Sequence, residues 1–287
     1  MLQFPQFDPV AFSLGPLMLF QREIGPLEVH WYGITYMFAF LSAWLLALYR
    51  CRKSHSPVNA FDVENLITYG AFGVIVGGRL GYVIFYSFDE WMNDPFWLFR
   101  IWEGGMSFHG GLIGVLVAMY VYSTRIRTPY LVLMDFVAPL VPLGLAFGRL
   151  GNFIGQELWG RVADVPWAMV FPKAGDAAGV ARHPSQLYQA GLEGVLLFVI
   201  LFWYSRKARP RGAVSGLFLL LYASFRAFVE NFREPDANIG FDLLGAITRG
   251  QLLCVPMFLF GLGLLVNSYF VAKKMAAQRK TASIANL

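Results

Sequence analysis

Long apolar stretches separated by short polar segments dominate the pattern of this 287-residue chain. A helix needs about 20 apolar residues to cross a bilayer, because every backbone polar group must be satisfied within the segment. The pattern therefore predicts an all-α integral membrane protein built as a bundle of about seven transmembrane helices. These helices are predicted over residues 30–49, 64–87, 106–123, 131–152, 186–204, 214–233 and 250–271.

Composition supports a membrane protein. The chain is 57% hydrophobic and only 14% charged, which is too apolar for an ordinary soluble domain. We expect residues 1–287 to form a single membrane domain. The net charge of +5 does not indicate a nucleic-acid partner, because the basic residues are dispersed along the chain.

The basic residues set the expected orientation. They cluster after the first, third, fifth and seventh predicted helices, and the positive-inside rule makes that side cytoplasmic. The N-terminus is then on the outer side of the membrane and the C-terminus on the cytoplasmic side, as expected for a multi-pass protein. The clusters comprise Arg50, Arg52, Lys53, Arg125, Arg127, Arg206, Lys207, Arg209, Arg211, Lys273, Lys274, Arg279 and Lys280.

Two segments are expected on the outer side. Residues 155–184 are too many for an ordinary connection and are rich in aromatic residues and proline, so they predict a periplasmic surface subdomain. The segment before Gln21 lacks the basic start of a signal peptide and is expected at the outer membrane surface.

Cys51 and Cys254 are interpreted as packing residues, and no spacing of cysteine or histidine indicates a metal site. No cofactor is expected.

Polar residues inside the predicted helices are the candidate site. Burying an ionisable group in a bilayer costs about 2.5–3.5 kcal/mol on insertion scales, so such groups suggest function unless they only pair between helices. Arg149 and Asn152 are three residues apart and share a helix face. Tyr222, Arg226 and Glu230 recur every four residues and form one stripe, which Arg233 continues. Arg226 and Glu230 are also spaced to pair within their helix.

Three further features leave more than one interpretation open. His109 lies among glycines at the outer start of the third predicted helix, where it is either catalytic or structural. Arg79 lies among small residues that suit close helix packing, and it either pairs between helices or contacts a ligand. The stretch HPSQLYQ predicts the start of the fifth helix, with Pro184 at an early helical position and His183 or Ser185 near the cap.

Six motifs together resemble the bacterial prolipoprotein diacylglyceryl transferase family. The likeness runs in order through most of the chain, and the six motifs together are highly specific. One departure is that Gln189 follows HPSQLY, where the family usually has Glu. The motifs are VHWYG (29–33), GGRLGY (77–82), MSFHGGLIG (106–114), GRLGNFIGQELWGR (148–161), HPSQLY (183–188) and YASFRAFVENFREPD (222–236).

The resemblance implies a seven-helix inner-membrane transferase. Its family moves the diacylglyceryl group of phosphatidylglycerol onto the lipobox cysteine of prolipoproteins, the first step of lipoprotein maturation. The expected partners are phosphatidylglycerol, prolipoprotein signal peptides and membrane lipids. The positions matching the family's functional residues are Tyr32, His109, Arg149, Asn152, Glu157, Gly160, Tyr222, Arg226 and Glu230.

The residue chemistry fits that expectation. Planar, always charged arginine suits an anionic phosphodiester, so Arg149 and Arg226 are predicted to hold the lipid phosphate, with Asn152, Glu157, Gly160 and Tyr222 around it. A substrate thiol needs a base before it attacks, and His109 is the candidate, although Glu230 or the Tyr32 hydroxyl could share or replace that role.

Two other functions were weighed. A transporter or flippase for an anionic lipid would also bury arginine, glutamate and histidine, but the chain shows no obvious repeat and its polar cluster lies on one side. Phosphoalcohol transfer from a nucleotide-activated lipid would need a cytoplasmic aspartate cluster, whereas the cytoplasmic loops hold almost no aspartate beyond Asp62.

Overall fold

The computed structural model describes residues 2–19, 22–177, 179–234, 241–243 and 247–285. Pro235 and Asp236, which end the last of the six motifs, lie outside the described residues. The chain divides into two compact units. The first comprises Met1–Ala43 and Ala138–Leu287, and the second comprises Trp44–Val137.

The described residues are mostly helical, as predicted. A π-helical turn, Ala190–Leu196, joins α7 to α8, and a 3₁₀ turn, Ala138–Leu140, joins α5 to α6. Further 3₁₀ turns lie at Pro95–Phe99, Ile101–Glu103 and Pro172–Ala174. The helices are α1 (Trp31–Cys51), α2 (Ala60–Tyr86), α3 (Phe88–Asn93), α4 (Phe108–Arg125), α5 (Tyr130–Val137), α6 (Val141–Gly155), α7 (Ser185–Gln189), α8 (Leu197–Tyr204), α9 (Ala213–Val229) and α10 (Arg249–Ala285).

Five helical segments in the described part of the chain are long and apolar enough to cross a membrane. A further apolar helix, α9, is shorter. Each of the seven predicted segments coincides with a helix, so the all-α integral membrane class is confirmed, whereas the count of seven crossings stays a prediction. The five segments are Trp31–Cys51, Ala60–Tyr86, Tyr130–Gly155, Ser185–Tyr204 and Arg249–Ser283.

Short strands were not predicted from the sequence. In the N-terminal segment, β2 (Val10–Leu14) pairs antiparallel with β5 (Leu27–His30), and β3 (Leu17–Leu19) with β4 (Arg22–Ile24). Elsewhere β1 (Leu2–Gln3) runs parallel to β6 (Met169–Val170), and β7 (Phe241–Leu243) pairs with β8 (Ile247–Thr248). A hydropathy window of about 19 residues cannot detect strands this short.

The core of the first unit lies between α8 and α9. Leu197, Leu201 and Val214 are buried there together with Ala138. The π turn approaches α6 closely, because a Cβ on Gly194 would lie 2.5 Å from the Cβ of Ala146. These contacts pack α8 on α9 and the π turn on α6, and α6 and α9 carry the predicted residues Arg149, Asn152, Tyr222 and Arg226.

A smaller cluster joins the N-terminal segment to the long connection. Phe4 packs on Phe153 and Phe171, with ring centroids 5.1 Å and 5.5 Å apart, and Met169 is buried beside them. The 155–184 segment is therefore folded against the end of α6 and the start of the chain. Its place at a periplasmic surface stays a prediction.

Glycines pack α2 against α4 in the second unit. A Cβ added to Gly77 would lie 2.4 Å from the carbonyl oxygen of Gly110, and one on Gly114 would lie 2.0 Å from that of Gly73. Only glycine allows two backbones to approach this closely. The small residues around Arg79 therefore serve helix packing, as the sequence indicated.

Arg79 itself is a structural residue. Its side chain is buried and donates hydrogen bonds to the carbonyl oxygens of Trp97, Leu98 and Gly104, with the guanidinium 4.3 Å from the centroid of the Trp97 ring. These contacts satisfy the charge within the second unit and order the turn between α3 and α4. The structure thus favours internal bonding over a ligand contact for Arg79.

Candidate active site

Arg226 lies at the centre of a buried ionic cluster in the first unit. Its Nη2 is 2.9 Å from Oε2 of Glu230, one helical turn later, which confirms the predicted pair. Its Nη1 is 3.8 Å from Oε1 of Glu193, which lies in the π turn. The Arg226 side chain is 14% exposed and the two carboxylates are 4% and 1% exposed. A planar guanidinium held on two sides is fixed in orientation.

Glu230 is enclosed by positive groups. Arg233 Nη1 lies 3.8 Å from its Oε1, and the Thr248 hydroxyl donates a hydrogen bond of 3.2 Å to the same oxygen. A Cβ on Gly250 would lie 2.7 Å from this oxygen, so the carboxylate abuts the first turn of α10. The positive end of that helix favours an anion. These contacts favour a role for Glu230 in positioning Arg226.

Glu193 is a member of the site that the sequence analysis missed. It is fully buried, pairs with Arg226 and lies within electrostatic range of Arg149. The available signal was a single carboxylate inside a predicted transmembrane helix, which by default suggests function. Its partner is 33 positions away in sequence, so no helical spacing could reveal the pair.

Arg149 and Asn152 share a face of α6, as their spacing predicted. Arg149 Nη1 lies 3.5 Å from Asn152 Oδ1, and Asn152 Nδ2 donates a hydrogen bond of 3.2 Å to Oε2 of Glu157. Gln156 adopts a left-handed conformation that ends the helix and turns Glu157 back towards Asn152. The three predicted residues therefore form one hydrogen-bonded chain at the end of α6.

Among the described residues, Tyr32 of α1 lies close to this chain without a hydrogen bond to it. A Cβ on Gly151 would lie 2.6 Å from Oγ1 of Thr35 and 3.3 Å from the Tyr32 ring, so glycine lets α1 approach α6. The Tyr32 hydroxyl lies 3.2 Å from that of Tyr36 and within electrostatic range of Glu157 and Arg149. The structure thus brings Tyr32 to the predicted cluster.

Tyr222 lies one turn before Arg226 on α9. Its ring stacks on Phe218 at a centroid distance of 5.9 Å, and its hydroxyl is within electrostatic range of Glu193, Arg226 and Arg149. The predicted stripe on α9 therefore faces the cluster.

Gly160 lies in the first unit where three chain segments come close together. Its N–H donates to the carbonyl oxygen of His183, and it forms a β-bridge with Arg233. A Cβ there would lie 2.5 Å from the Phe232 carbonyl oxygen and 2.6 Å from that of His183. The close approach of three segments explains this glycine, while its predicted contact with substrate stays a prediction.

His109 belongs to the second unit. It is exposed in the first turn of α4, and its ring meets the edge of the Phe108 ring at 5.7 Å. The N-cap of this helix is Ser107, whose hydroxyl accepts the N–H of Gly110. The side chain of His109 is thus not used to cap its helix, and its role as a base stays a prediction.

The helix α7 begins within the HPSQLYQ stretch, as predicted, with His183 and Ser185 on either side of its N-cap. Pro184 is the N-cap and makes no side-chain hydrogen bond. Ser185 donates instead to the carbonyl oxygen of Leu158, and His183 Nδ1 lies 3.0 Å from the Tyr188 hydroxyl. Both side chains tie the start of α7 to neighbouring segments because the preceding proline and the turn already fix the helix start.

Ion pairs hold the end of the 155–184 segment. Arg182 donates to both carboxylate oxygens of Asp176, at 2.6 Å and 2.8 Å, and to Glu234 at 3.0 Å. The bond from Arg182 lowers the pKa of Asp176, and burial lowers the pKa of His183 below its usual 6.5. The segment is therefore a folded element in which both Asp176 and His183 take up a proton less readily than they would in an unfolded chain.

The cluster is suited to bind an anion. It brings the guanidinium groups of Arg149, Arg226 and Arg233 together with the carboxylates of Glu193 and Glu230. Fixed guanidinium groups at low dielectric stabilise negative charge that develops in a transition state. The arrangement can therefore hold a phosphodiester and accept charge on its leaving oxygen.

Comparisons with known proteins agree with the resemblance. The family described as prolipoprotein diacylglyceryl transferase matches residues 19–267. A protein of Teredinibacter turnerae named phosphatidylglycerol–prolipoprotein diacylglyceryl transferase is 56% identical over 269 residues, 94% of this chain and 93% of its own length. Proteins of the same name from Methylococcus capsulatus and Pseudomonas paraeruginosa are 53% and 51% identical, covering 94% and 98% of this chain and 98% and 100% of their own.

Proposed function

The chain belongs to the prolipoprotein diacylglyceryl transferase family, and from this premise we propose that it transfers diacylglyceryl from phosphatidylglycerol to the lipobox cysteine of prolipoproteins. The product is a thioether, and glycerol phosphate is released. The observation that carries the proposal is the Arg226 cluster, in which Glu193 and Glu230 fix a buried guanidinium beside Arg149.

The two arginines act on the leaving group. When sulfur attacks the glyceryl carbon, the carbon–oxygen bond breaks and its electron pair stays with the phosphate. Arg149 and Arg226 would hold that phosphate and stabilise the charge as it forms. Asn152, Glu157 and Tyr32 would orient Arg149 through the chain that ends α6.

A base must take the thiol proton. His109 remains the proposed base, because the resemblance places it at the family's functional position and histidine is the side chain that most often serves as a general base. We assign Glu230 to positioning, since Arg226, Arg233 and Thr248 all contact its carboxylate.

The proposal includes a place in the cell. A single membrane domain in the inner membrane would have its N-terminus and the 155–184 segment in the periplasm, its C-terminus in the cytoplasm and its site facing outwards. The basic loops after alternate helices support this orientation. The substrates are then a membrane phospholipid and the signal peptide of a secreted prolipoprotein.

The test is transfer by the purified protein. It is incubated with phosphatidylglycerol and a lipobox peptide, and the peptide cysteine should gain the mass of diacylglyceryl. A matched peptide with serine in place of that cysteine is the control and should gain nothing. Phosphatidylglycerol consumed or moved across vesicles with an unmodified peptide would favour another reaction or the flippase alternative.

Phosphatidylglycerol labelled with heavy oxygen at the bridge between diacylglycerol and phosphorus tests which bond breaks. The label should leave wholly in glycerol phosphate. Retention of the label on diacylglycerol would mean attack at phosphorus and would overturn the roles given to the arginines.

A further inference from the structure

Gln189 is a fully buried amide without a hydrogen-bond partner. Its side chain is 0% exposed, and neither Oε1 nor Nε2 bonds to any residue that the structure describes. Leaving one buried polar group unsatisfied costs about 1–3 kcal/mol. An apolar residue of the same shape would avoid that cost, so the amide calls for a partner from outside the chain.

The position of Gln189 follows from the contacts of Gln186 and Glu193, which lie on the same helix face. Gln186, Gln189 and Glu193 are all fully buried, and their spacing of three and four residues places them along one face of the helix that starts at Ser185. Gln186 Nε2 donates to the carbonyl oxygen of Glu157 at 2.7 Å, and Glu193 pairs with Arg226. Gln189 therefore lies between the end of the Arg149 chain and the Arg226 cluster.

The surrounding backbone is irregular at this point. The α-helix changes at Ala190 to a π turn, a form often found at functional sites, and that turn presses Gly194 against Ala146 of α6. The helix is thus packed tightly on one side of Gln189 while its amide stays unbonded. Helix packing alone does not explain a polar residue here.

The Gln189 amide is suited to form hydrogen bonds with hydroxyl groups. A glutamine both donates and accepts hydrogen bonds and carries no charge, as does an alcohol. The arginines account for the phosphate of a phosphodiester lipid and leave its neutral polyol unrecognised. We infer that Gln189 binds the glycerol hydroxyls of the phospholipid headgroup and so selects a polyol headgroup among monoanionic phosphodiesters. This inference rests on the proposed function and names a specificity residue for it.

A pair of donor lipids tests the inference. Phosphatidylpropanol has the same phosphodiester charge as phosphatidylglycerol and a headgroup of similar size, but it lacks both hydroxyls. Transfer to a lipobox peptide is measured as kcat/KM for each lipid in the full-length protein. The wild type should prefer phosphatidylglycerol by about tenfold or more, since one or two buried hydrogen bonds are at stake. In Gln189→Met, which keeps the volume and loses the amide, the ratio should fall to about one.

Gln186→Met is the matched control. Gln186 has the same residue type and burial on the same helix face, but its amide nitrogen is already bonded to Glu157. That variant should keep the wild-type preference between the two lipids even if both rates fall. If Gln189→Met does not fold, Gln189→Asn, which withdraws the amide by one methylene, should lower the ratio.

The outcomes separate the two claims. A wild type without preference, or a folded Gln189→Met that keeps it, would overturn the role of Gln189 while leaving the transferase activity in place. Equal loss with both lipids at an unchanged ratio would also overturn it and make Gln189 structural. A wild type that modifies the peptide with neither lipid would instead defeat the proposed function.

Discussion

At the scale of single residues, the site is an arginine fixed by carboxylates. Arg226 contacts Glu230 and Glu193, and Glu230 is in turn held by Arg233 and Thr248. A charge in such a setting is oriented before substrate arrives, and preorganised charge is the largest catalytic contribution in many enzymes. Changes that keep the charge but alter its geometry should therefore reduce activity.

Arg226→Lys is the direct test of geometry. Lysine keeps the positive charge but cannot form the paired bonds of a planar guanidinium, so we expect kcat/KM to fall at least about tenfold, or about 1.4 kcal/mol. Arg52→Lys, at an exposed position in the second unit, is the control and should be as active as wild type. Wild-type rates in Arg226→Lys would reduce Arg226 to a partner that neutralises Glu230.

Glu230→Gln distinguishes positioning from proton transfer. The amide can still accept from Thr248 but loses both ion pairs, so kcat/KM should fall at least about tenfold. If the carboxylate only positions Arg226, the dependence of kcat/KM on pH keeps its wild-type shape between about pH 5.5 and 9. His109→Asn should instead remove one limb of that profile. Loss of a limb in Glu230→Gln would make Glu230 the base.

Part of this site could be predicted from the sequence. Spacing within a helix identified the Arg149 and Asn152 face and the Arg226–Glu230 pair, because helical geometry is local. Glu193 and Thr248 could not be assigned, since they reach the cluster from segments far away in sequence. Periodicity contains no information about which distant segments meet. The short N-terminal strands were missed for another reason, because each is far shorter than the apolar stretches that a search for membrane helices detects.

At the scale of elements, the apolar runs fixed the positions of the helices, and glycines fixed how two of them pack. In the second unit, α2 and α4 approach so closely that neither Gly77 nor Gly114 could carry a methyl group without meeting the backbone of the facing helix. Packing of this kind stabilises membrane helices, because burial of apolar surface adds little within lipid.

Gly114→Ala should therefore destabilise the protein. The added Cβ would lie 2.0 Å from the Gly73 carbonyl oxygen, so the helices must separate, and overpacking of this kind typically costs about 1–3 kcal/mol. Gly70→Ala on α2 is the control, because nothing lies within 4 Å of its Cβ position. Thermal unfolding in detergent should show a lower Tm for the first variant alone. Equal Tm values would mean that the two helices are not packed as described.

The 155–184 segment should loosen in mild acid. Burial lowers the pKa of His183 in the folded state, whereas the unfolded segment takes up a proton near pH 6.5. The contribution of His183 to stability is therefore present above about pH 6.5 and is lost as the pH falls from there towards the lowered folded value. Hydrogen exchange of the segment, corrected for intrinsic rates, should rise more between pH 7.5 and pH 5.5 in wild type than in His183→Asn. The same rise in both would assign the effect to another group.

At the scale of the whole molecule, several apolar helices make the chain a multi-pass membrane protein, and the basic clusters predict which ends face the cytoplasm. The two native cysteines, Cys51 and Cys254, can be replaced by serine to read out this orientation. That background should stay active, since the proposed function takes the attacking thiol from the substrate.

Single introduced cysteines then show on which side of the membrane a given position lies. In the serine background, Val162→Cys, at a position 63% exposed in the 155–184 segment, should react with an impermeant thiol reagent in intact spheroplasts. Ala208→Cys, in an exposed turn within a basic cluster, should react only after lysis. The opposite pattern would place the site on the cytoplasmic side and contradict the proposed function.

The contact between Glu230 and the start of α10 has a consequence for biosynthesis. Thr248, which directly precedes the last helix of the chain, and Gly250 in its first turn contact that carboxylate, whereas Arg149, Glu193 and Arg226 are all made earlier. A nascent protein that has left the ribosome only as far as Arg233 has every arginine of the cluster and Glu230, but it lacks the helix terminus that contacts Glu230. The Arg226 cluster is therefore completed last, when the final helix is made and brings its first turn against Glu230.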